Sequence, residues 1–275
     1  MFTLNCKGRL IVVDNPLVMG ILNITPDSFY SGSRFENDAA VLSQAEKMLS
    51  DGADILDIGG QSTRPRSEQI TVDEELKRVI GKIELIHKKF PQAIISVDTT
   101  YARVAQESVL AGASMVNDIS GGNSDADMIR ITGQLNVPYI CMHIKGTPQT
   151  MQEKPVYENV TKEVLDFFIH KKEQCKTAGI KDMIIDPGFG FGKTIQHNFE
   201  LLKNLSVFKI LENPILIGVS RKSTIYKTLG ITVEEALNGT TALNTIALMN
   251  GANIIRVHDV KEAKQAVKLF AEYAK

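Results

Sequence analysis

The chain has 275 residues, of which 43% are hydrophobic and 23% charged, and 31 basic against 32 acidic side chains leave a formal charge of −1. That balance excludes a broad electrostatic footprint for nucleic acid or an anionic membrane, so any phosphate recognition has to be local. The apolar fraction excludes disorder, and the length allows either two ordinary domains or one α/β barrel.

In chain order, the residues before Pro16 precede the repeating pattern and are expected to form a short strand or hairpin capping the bottom of a barrel. Short apolar runs then alternate with amphipathic stretches. The runs are Val18 to Ile24, Ile55 to Ile58, Ile94 to Val97, Met115 to Asn117, Pro138 to Met142, Met183 to Ile185, Ile215 to Val219 and Asn253 to Val257. Nearly continuous apolar character with many β-branched residues is what parallel strands covered by helices require. Thr71 with Glu74 and Asp259 with Glu262 read as capping boxes opening helices. Gly52, Gly112, Gly179 and Gly251 follow helical stretches and suit left-handed C-terminal caps.

Eight such units fit a (β/α)8 TIM barrel of roughly 250 residues, and no Pro/Gly/Ser linker interrupts them, so one domain over residues 1–275 is expected. An open doubly wound sheet ranks behind. Its first turn carries a glycine fingerprint, whereas the first run here ends Asn23-Ile24-Thr25-Pro26.

Cys6, Cys141 and Cys175 are odd in number and form no CxxC pair, so they read as reduced thiols of a cytoplasmic protein. No apolar run reaches the roughly 18 residues of a membrane span, and Leu10 to Val13 is too short for a signal-peptide core. The five histidines form no HExxH; His87, His170 and His197 read as exposed helix residues.

A barrel of this kind places its active site at the C-terminal ends of the strands. Those ends carry Asn23, Asp57, Asp98, Asn117 with Asp118, His143, Asp186, Ser220 with Arg221 and Lys222, and Arg256 with His258. Asp57, Asp118 and Asp259 read as turn formers or helix caps. Asp98, Asn117 and Asp186, with Lys222, offer the acceptors and donors that suit a flat, nitrogen-rich heterocycle. Arg64, Arg256 and His258, with the hydroxyls of Thr63 and Ser220, suit a compact anion such as phosphate or pyrophosphate, helped by the N-terminus of the helix after His258. A substrate carrying both a heterocycle and an anion follows. Lys222, just past its strand, reads as a charge and hydrogen-bond group rather than a Schiff-base nucleophile.

Gly188-Phe-Gly-Phe-Gly-Lys-Thr194 imitates a P-loop, but Pro187 stands where the first glycine belongs. Two readings remain open for it: a flexible loop presenting Phe191 to a ligand, or a glycine-rich turn with buried aromatics. The loops from Thr25 to Glu36 and from Gly59 to Thr71 are long and polar, as expected for lids.

These residues also carry a family pattern: Met19-Gly-Ile-Leu-Asn-Ile-Thr-Pro-Asp-Ser-Phe29, Asp57-Ile-Gly-Gly-Gln-Ser-Thr-Arg-Pro65, Ser96-Val-Asp98, Val116-Asn-Asp-Ile-Ser-Gly121, Ile185-Asp-Pro-Gly-Phe-Gly-Phe-Gly-Lys193, Gly218-Val-Ser-Arg-Lys-Ser223 and Arg256-Val-His-Asp259. The chain resembles the dihydropteroate synthase family over nearly its whole length. The resemblance implies a TIM barrel that joins 6-hydroxymethyl-7,8-dihydropterin pyrophosphate to p-aminobenzoate with magnesium, acts as a homodimer and contacts neither nucleic acid nor membrane. It implies Asp98, Lys222, Arg256 and His258 as the catalytic set. Asp98, Asn117, Asp186 and Lys222 would hold the pterin in a slot lined by Ile119 and Met142. Asn23 would bind the metal, and Arg64, Arg256 and His258, with Ser220, would take the pyrophosphate. Thr63, Pro65, Phe191, Lys222 and Ser223 would form the p-aminobenzoate pocket, closed by Asp27 and Phe29. Pyrophosphate would leave first and the amine would then attack a cationic methylene.

Gln61 and Arg66 depart from the Glu and Gly of many relatives, and altered behaviour of the second lid is the expected consequence. Two alternatives stand beside this reading: a methyltetrahydrofolate-corrinoid methyltransferase on the same barrel, which needs no pyrophosphate site, and a non-catalytic pterin-binding protein.

Overall fold

A computed structural model describes residues 1–24, 38–61, 69–146 and 155–275 of the chain. Phe2–Cys6 (β1) and Arg9–Val13 (β2) pair antiparallel around Lys7 and Gly8, both at positive φ, which is the backbone twist a two-residue hairpin turn needs. This is the hairpin expected ahead of Pro16.

The strands Leu17–Asn23 (β3), Ile55–Gly59 (β4), Ile94–Asp98 (β5), Met115–Asp118 (β6), Tyr139–Met142 (β7), Met183–Asp186 (β8), Leu216–Ile217 (β9) and Ile254–Val257 (β10) are parallel and adjacent in the order β8-β7-β6-β5-β4-β3-β10-β9. A bridge between Ile185 and Ile215, with Ile185 N donating to Pro214 O at 3.0 Å, joins β8 to β9 and closes the barrel. Around it run Asp38–Ser50 (α1), Val72–Lys89 (α2), Ala102–Ala111 (α3), Met128–Leu135 (α4), Val160–Thr177 (α5), Ile195–Lys203 (α6), Ser223–Leu229 (α7), Leu237–Met249 (α8) and Val260–Tyr273 (α9).

Side chains alternate across each strand, and that parity sorts the core. Val18, Leu56, Ile95, Val116, Cys141, Ile185, Ile217 and Ile255 face outward and pack under the helices. Met19, Ile55, Ile94, Met115, Ile140, Ile184, Leu216 and Ile254 form an inner layer, plugged from below by Leu4, Cys6 and Val13 of the hairpin. The next inward step along the strands, two residues on, is where the chemistry begins.

Helix ends follow local signals with two exceptions. Thr71 Oγ1 accepts from Glu74 N, but the Glu74 carboxylate turns away to Arg78 at 2.9 Å, leaving half a capping box. Asp259 flanks α9 without capping it, because Arg221 holds its carboxylate. The full box belongs instead to Thr194 and His197, so His197 is half-buried rather than exposed; His87 and His170 are exposed as expected. Gly52, Gly112, Gly179 and Gly251 all have positive φ at helix ends. The three cysteines are buried and unpaired. Among the described residues no helix is long and apolar enough to cross a membrane.

Candidate active site

Strand parity carries Asp57, Asn117, Met142, Asp186 and Arg256 to the same inward position, above the isoleucine-rich layer. Asp57, Asn117 and Arg256 form one network with Asp98. Arg256 Nε bonds Asp57 Oδ2 at 2.6 Å and its Nη2 bonds Asp98 Oδ2 at 2.7 Å, while Asn117 Nδ2 donates to Asp57 Oδ2 at 3.0 Å. The heterocycle set and the anion set read from the sequence are therefore joined through Arg256. Burial pushes the Asp98 carboxyl up, against the pull of the Arg256 guanidinium. Asp57 is fully buried and is no turn former or cap; it is the acceptor at the floor of the site, and its Oδ1 has no hydrogen-bond partner. Its place two residues beyond Ile55 on an inward-facing parity was the signal that could have revealed this. Asp118 does behave as a turn former, accepting from Ser120 N, Ser120 Oγ, Gly122 N and Tyr139 OH.

On the far side of the mouth, Asp186 Oδ1 accepts from Gly188 N at 2.8 Å, and burial raises its carboxyl while Lys222 counters. Lys222 Nζ donates to Phe189 O and sits 4.6 Å from the Phe191 ring centroid. Burial brings Lys222 down to about 8, with Asp186 pulling the other way. Ile119 and Met142, expected to line the slot for a flat ring, pack with Phe191, expected on the aryl-amine side, and with Ile144 as one apolar wall. Ser223 is half-buried as the first residue of α7.

The anion corner lies beside Arg256. Ser220 Oγ is 3.0 Å from His258 Nδ1 and accepts from His258 N at 3.2 Å. Burial, then the Arg256 charge, brings His258 down to about 4, so the ring is neutral and shares one hydrogen bond with the serine hydroxyl through Nδ1. A small cavity brings together Asn23, Phe191, Ser220, Lys222, Arg256 and His258, six of the twelve described candidates; Asp98, Asn117, Ile119, Met142, Asp186 and Ser223 are not part of its lining. Asp27, Phe29, Thr63, Arg64, Pro65 and Arg66 lie outside the described residues.

Three residues differ from the sequence reading. Arg221 turns away from the mouth: its guanidinium grips Asp259 through two 2.9 Å contacts and donates to Val233 O and Glu234 O at 3.0 and 2.8 Å. Lys193, read only as part of a false P-loop, is 4% exposed and folded into the loop itself. Glu75 of α2, unremarked in the sequence, is 1% exposed, and burial raises it to about 7. Its position four residues before Val79 and eight before Ile83, on the buried stripe of the helix, was the signal that separates it from the exposed acids beside it.

A closed parallel barrel whose mouth combines an apolar slot, buried acids and an anion corner defines the class of barrel enzymes that bind a pterin, and residues 19–258 match the family described as pterin binding enzyme. A dihydropteroate synthase from Escherichia coli (strain K12) is 42% identical over 96% of this chain and 93% of its own length. Among solved structures, the Yersinia pestis dihydropteroate synthase with a sulfonamide drug is 40% identical, with a TM-score of 0.95 over 99% of both chains. The Xanthomonas albilineans dihydropteroate synthase with 4-aminobenzoic acid is 37% identical, with a TM-score of 0.91 over 99% of this chain and 98% of that one. The chain belongs to the dihydropteroate synthase family, whose members are transferases.

Proposed function

We propose that this mouth joins 6-hydroxymethyl-7,8-dihydropterin pyrophosphate to p-aminobenzoate. The carbon–oxygen bond of the pterin methylene breaks with its electron pair leaving on pyrophosphate. The amine nitrogen then bonds to the methylene and sheds one proton, giving 7,8-dihydropteroate and pyrophosphate.

Asn117 and Asp186 are suited to the pterin's nitrogen edge, with Ile119 and Met142 against its faces. Arg256, His258, Ser220 and the N-terminus of α9 hold the departing pyrophosphate, which offsets the charge that develops on its oxygen. Asp98, raised to about 7 by burial and drawn back by Arg256, faces the methylene and in its ionised form stabilises positive charge there. Lys222 and Phe191 bound the place where p-aminobenzoate approaches, with Ser223 beside them. Among the residues outside the description, Thr63, Arg64 and Pro65 would complete the anion and aryl-amine sides, and Asp27 and Phe29 would cover them. Excluding water protects the cationic carbon from hydrolysis.

Magnesium fits this site as a companion of the pyrophosphate. Asn23 Oδ1 and Asp98 Oδ2 lie 3.6 and 3.8 Å from the point a side chain on Gly59 would fill, so glycine leaves two oxygen donors room to converge. Magnesium takes most of its ligands from water and substrate phosphate, so one or two protein oxygens suffice to hold it. When bound, it would neutralise charge on the leaving group.

The observation that carries the reading is the Arg256 fork, one guanidinium tying Asp57 and Asp98 beside His258 and Lys222. That anion corner favours the synthase over a corrinoid methyltransferase, which transfers no pyrophosphate. Pyrophosphate release measured with and without p-aminobenzoate tests it: release dependent on the amine supports the synthase, and methyl transfer to a cobalamin without such release overturns it. We further propose that residues 1–275 act as one domain, as a homodimer in the cytoplasm. The continuous barrel supports the first, family membership the second, and the three buried free thiols the third.

A further inference from the structure

The segment 188–193 follows β8 and carries glycines at φ +72, +83 and +62 in alternate positions, Gly188, Gly190 and Gly192. The backbone closes so tightly that a Cβ at Gly188 would lie 1.9 Å from His143 O, and one at Gly192 would lie 2.3 Å from Lys145 O. Only glycine permits both the approach and the conformation. What the backbone wraps around is Lys193. Its Nζ donates to Gly188 O and Phe191 O at 3.0 Å each and to His143 O at 3.2 Å, and His143 Nδ1 lies at 3.0 Å.

Burial brings the Lys193 amine down to about 7, with Asp186 pulling the other way, and the carbonyl oxygens stand in for the water it has lost. His143 fits as one of those acceptors. Burial, then the charge of Lys193, holds its ring neutral, down to about 2, so Nδ1 keeps its lone pair for the lysine. The loop is thus neither a phosphate cradle nor flexible. It is cross-linked from inside, with Tyr157 OH to Gly192 O at 2.9 Å and Gly190 N to Asn198 Oδ1 at 2.8 Å securing its outer edge.

The loop presents two groups to the site, the Phe189 carbonyl and the Phe191 ring, and Lys222 rests against both. We propose that Lys193 is a positioning residue for the aryl-amine half of the site, fixing through the 188–193 loop the two groups that hold Lys222 in place for p-aminobenzoate. The proposal rests on the synthase reading. The pterin edge has a second support, because Asn117 and Asp186 sit on strand ends that the barrel itself fixes; although Gly188 N bonds Asp186 and Lys222 also borders the pterin, the aryl-amine side, resting on Phe191 and Lys222, depends more on the loop.

The test is steady-state kinetics of the full chain, varying each substrate in turn, with thermal unfolding as a second readout. Lys193→Met is expected to raise KM for p-aminobenzoate about tenfold or more while KM for the pterin pyrophosphate moves about twofold or less. Lys193→Gln, which keeps an amide donor, is expected to fall between wild type and Lys193→Met, and it serves as the probe if the methionine variant does not fold. A folded variant with unchanged p-aminobenzoate KM, or equal changes in both KM values, overturns the positioning role. Failure of both variants to fold also overturns it and assigns Lys193 to folding alone. Absence of amine-dependent pyrophosphate release in the wild type sinks the synthase reading itself, a result distinct from all of these.

Discussion

Arg221 and Asp259 face each other side on, Nε to Oδ2 and Nη2 to Oδ1 at 2.9 Å each, although 38 residues separate them. Arg221 adopts φ 53, a left-handed conformation unusual for a residue with a Cβ, and its backbone N donates to Thr240 Oγ1 at 3.0 Å. This backbone reversal directs the guanidinium outward while Ser220 and Lys222 reach the mouth. The pair also offsets the Asp259 charge beside the first turn of α9, where an anion is to bind.

Removing one partner of a mostly buried pair leaves the other uncompensated, so Asp259→Ala should lose about 3 kcal/mol of unfolding free energy. It should also weaken protection by pyrophosphate, because α9 and the Ser220–Lys222 segment lose their tie. Denaturant unfolding with and without pyrophosphate measures both. An unchanged midpoint would show that the carbonyls of Val233 and Glu234 suffice to hold Arg221.

Lys222→Ala should lower kcat/KM by about a hundredfold or more if the lysine borders both substrates as proposed, while leaving the fold intact. Its direct contacts are a carbonyl and an aromatic ring, and Asp186, whose buried carboxyl it offsets, keeps the Gly188 N donor when the amine is removed. Circular dichroism and pyrophosphate-release kinetics check the two halves; near-normal turnover excludes the assigned role.

The pH profile should carry an alkaline limb. Burial brings Lys222 down to about 8, so it is charged below that value and neutral above it. Because kcat/KM reports the free enzyme, it should fall as pH rises through about 8. The residual activity of Lys222→Ala should lack the limb, and a limb that survives there has another source.

Asp57→Asn keeps the shape of the floor but removes one of the two charges that hold Arg256. Turnover should drop about tenfold or more with folding retained, because Arg256 keeps Asp98 but loses its second anchor. Asp57→Ala should in addition destabilise the chain, since Arg256 and Asn117 both lose a buried acceptor. Parallel kinetic and unfolding measurements on the two variants separate these effects.

Much of the architecture was legible in the sequence because each strand of a covered parallel barrel announces itself locally, as at Ile94-Ile-Ser-Val97 or Asn253-Ile-Ile-Arg-Val257. The polar residue ending each run pointed to the mouth for the same reason. Ile215 to Val219 was read too long: the pairing stops at Ile217, and Val219 O already accepts from Lys222 N at 3.1 Å in the turn that delivers Lys222.

By itself the sequence determined the barrel and its hairpin plug and pointed to the residues at strand ends where the candidate site lies, since period, capping and strand-end chemistry are local properties of the chain. Tertiary structure decided which of those residues bond to which. Arg256 meets Asp57 and Asp98 across 199 and 158 residues, because strand stagger brings inward-facing positions to one level. Lys193 turns inward for a related reason: the carbonyls that solvate it, those of His143, Gly188 and Phe191, come together only after β7 and β8 have paired and the alternate glycines have let the loop close.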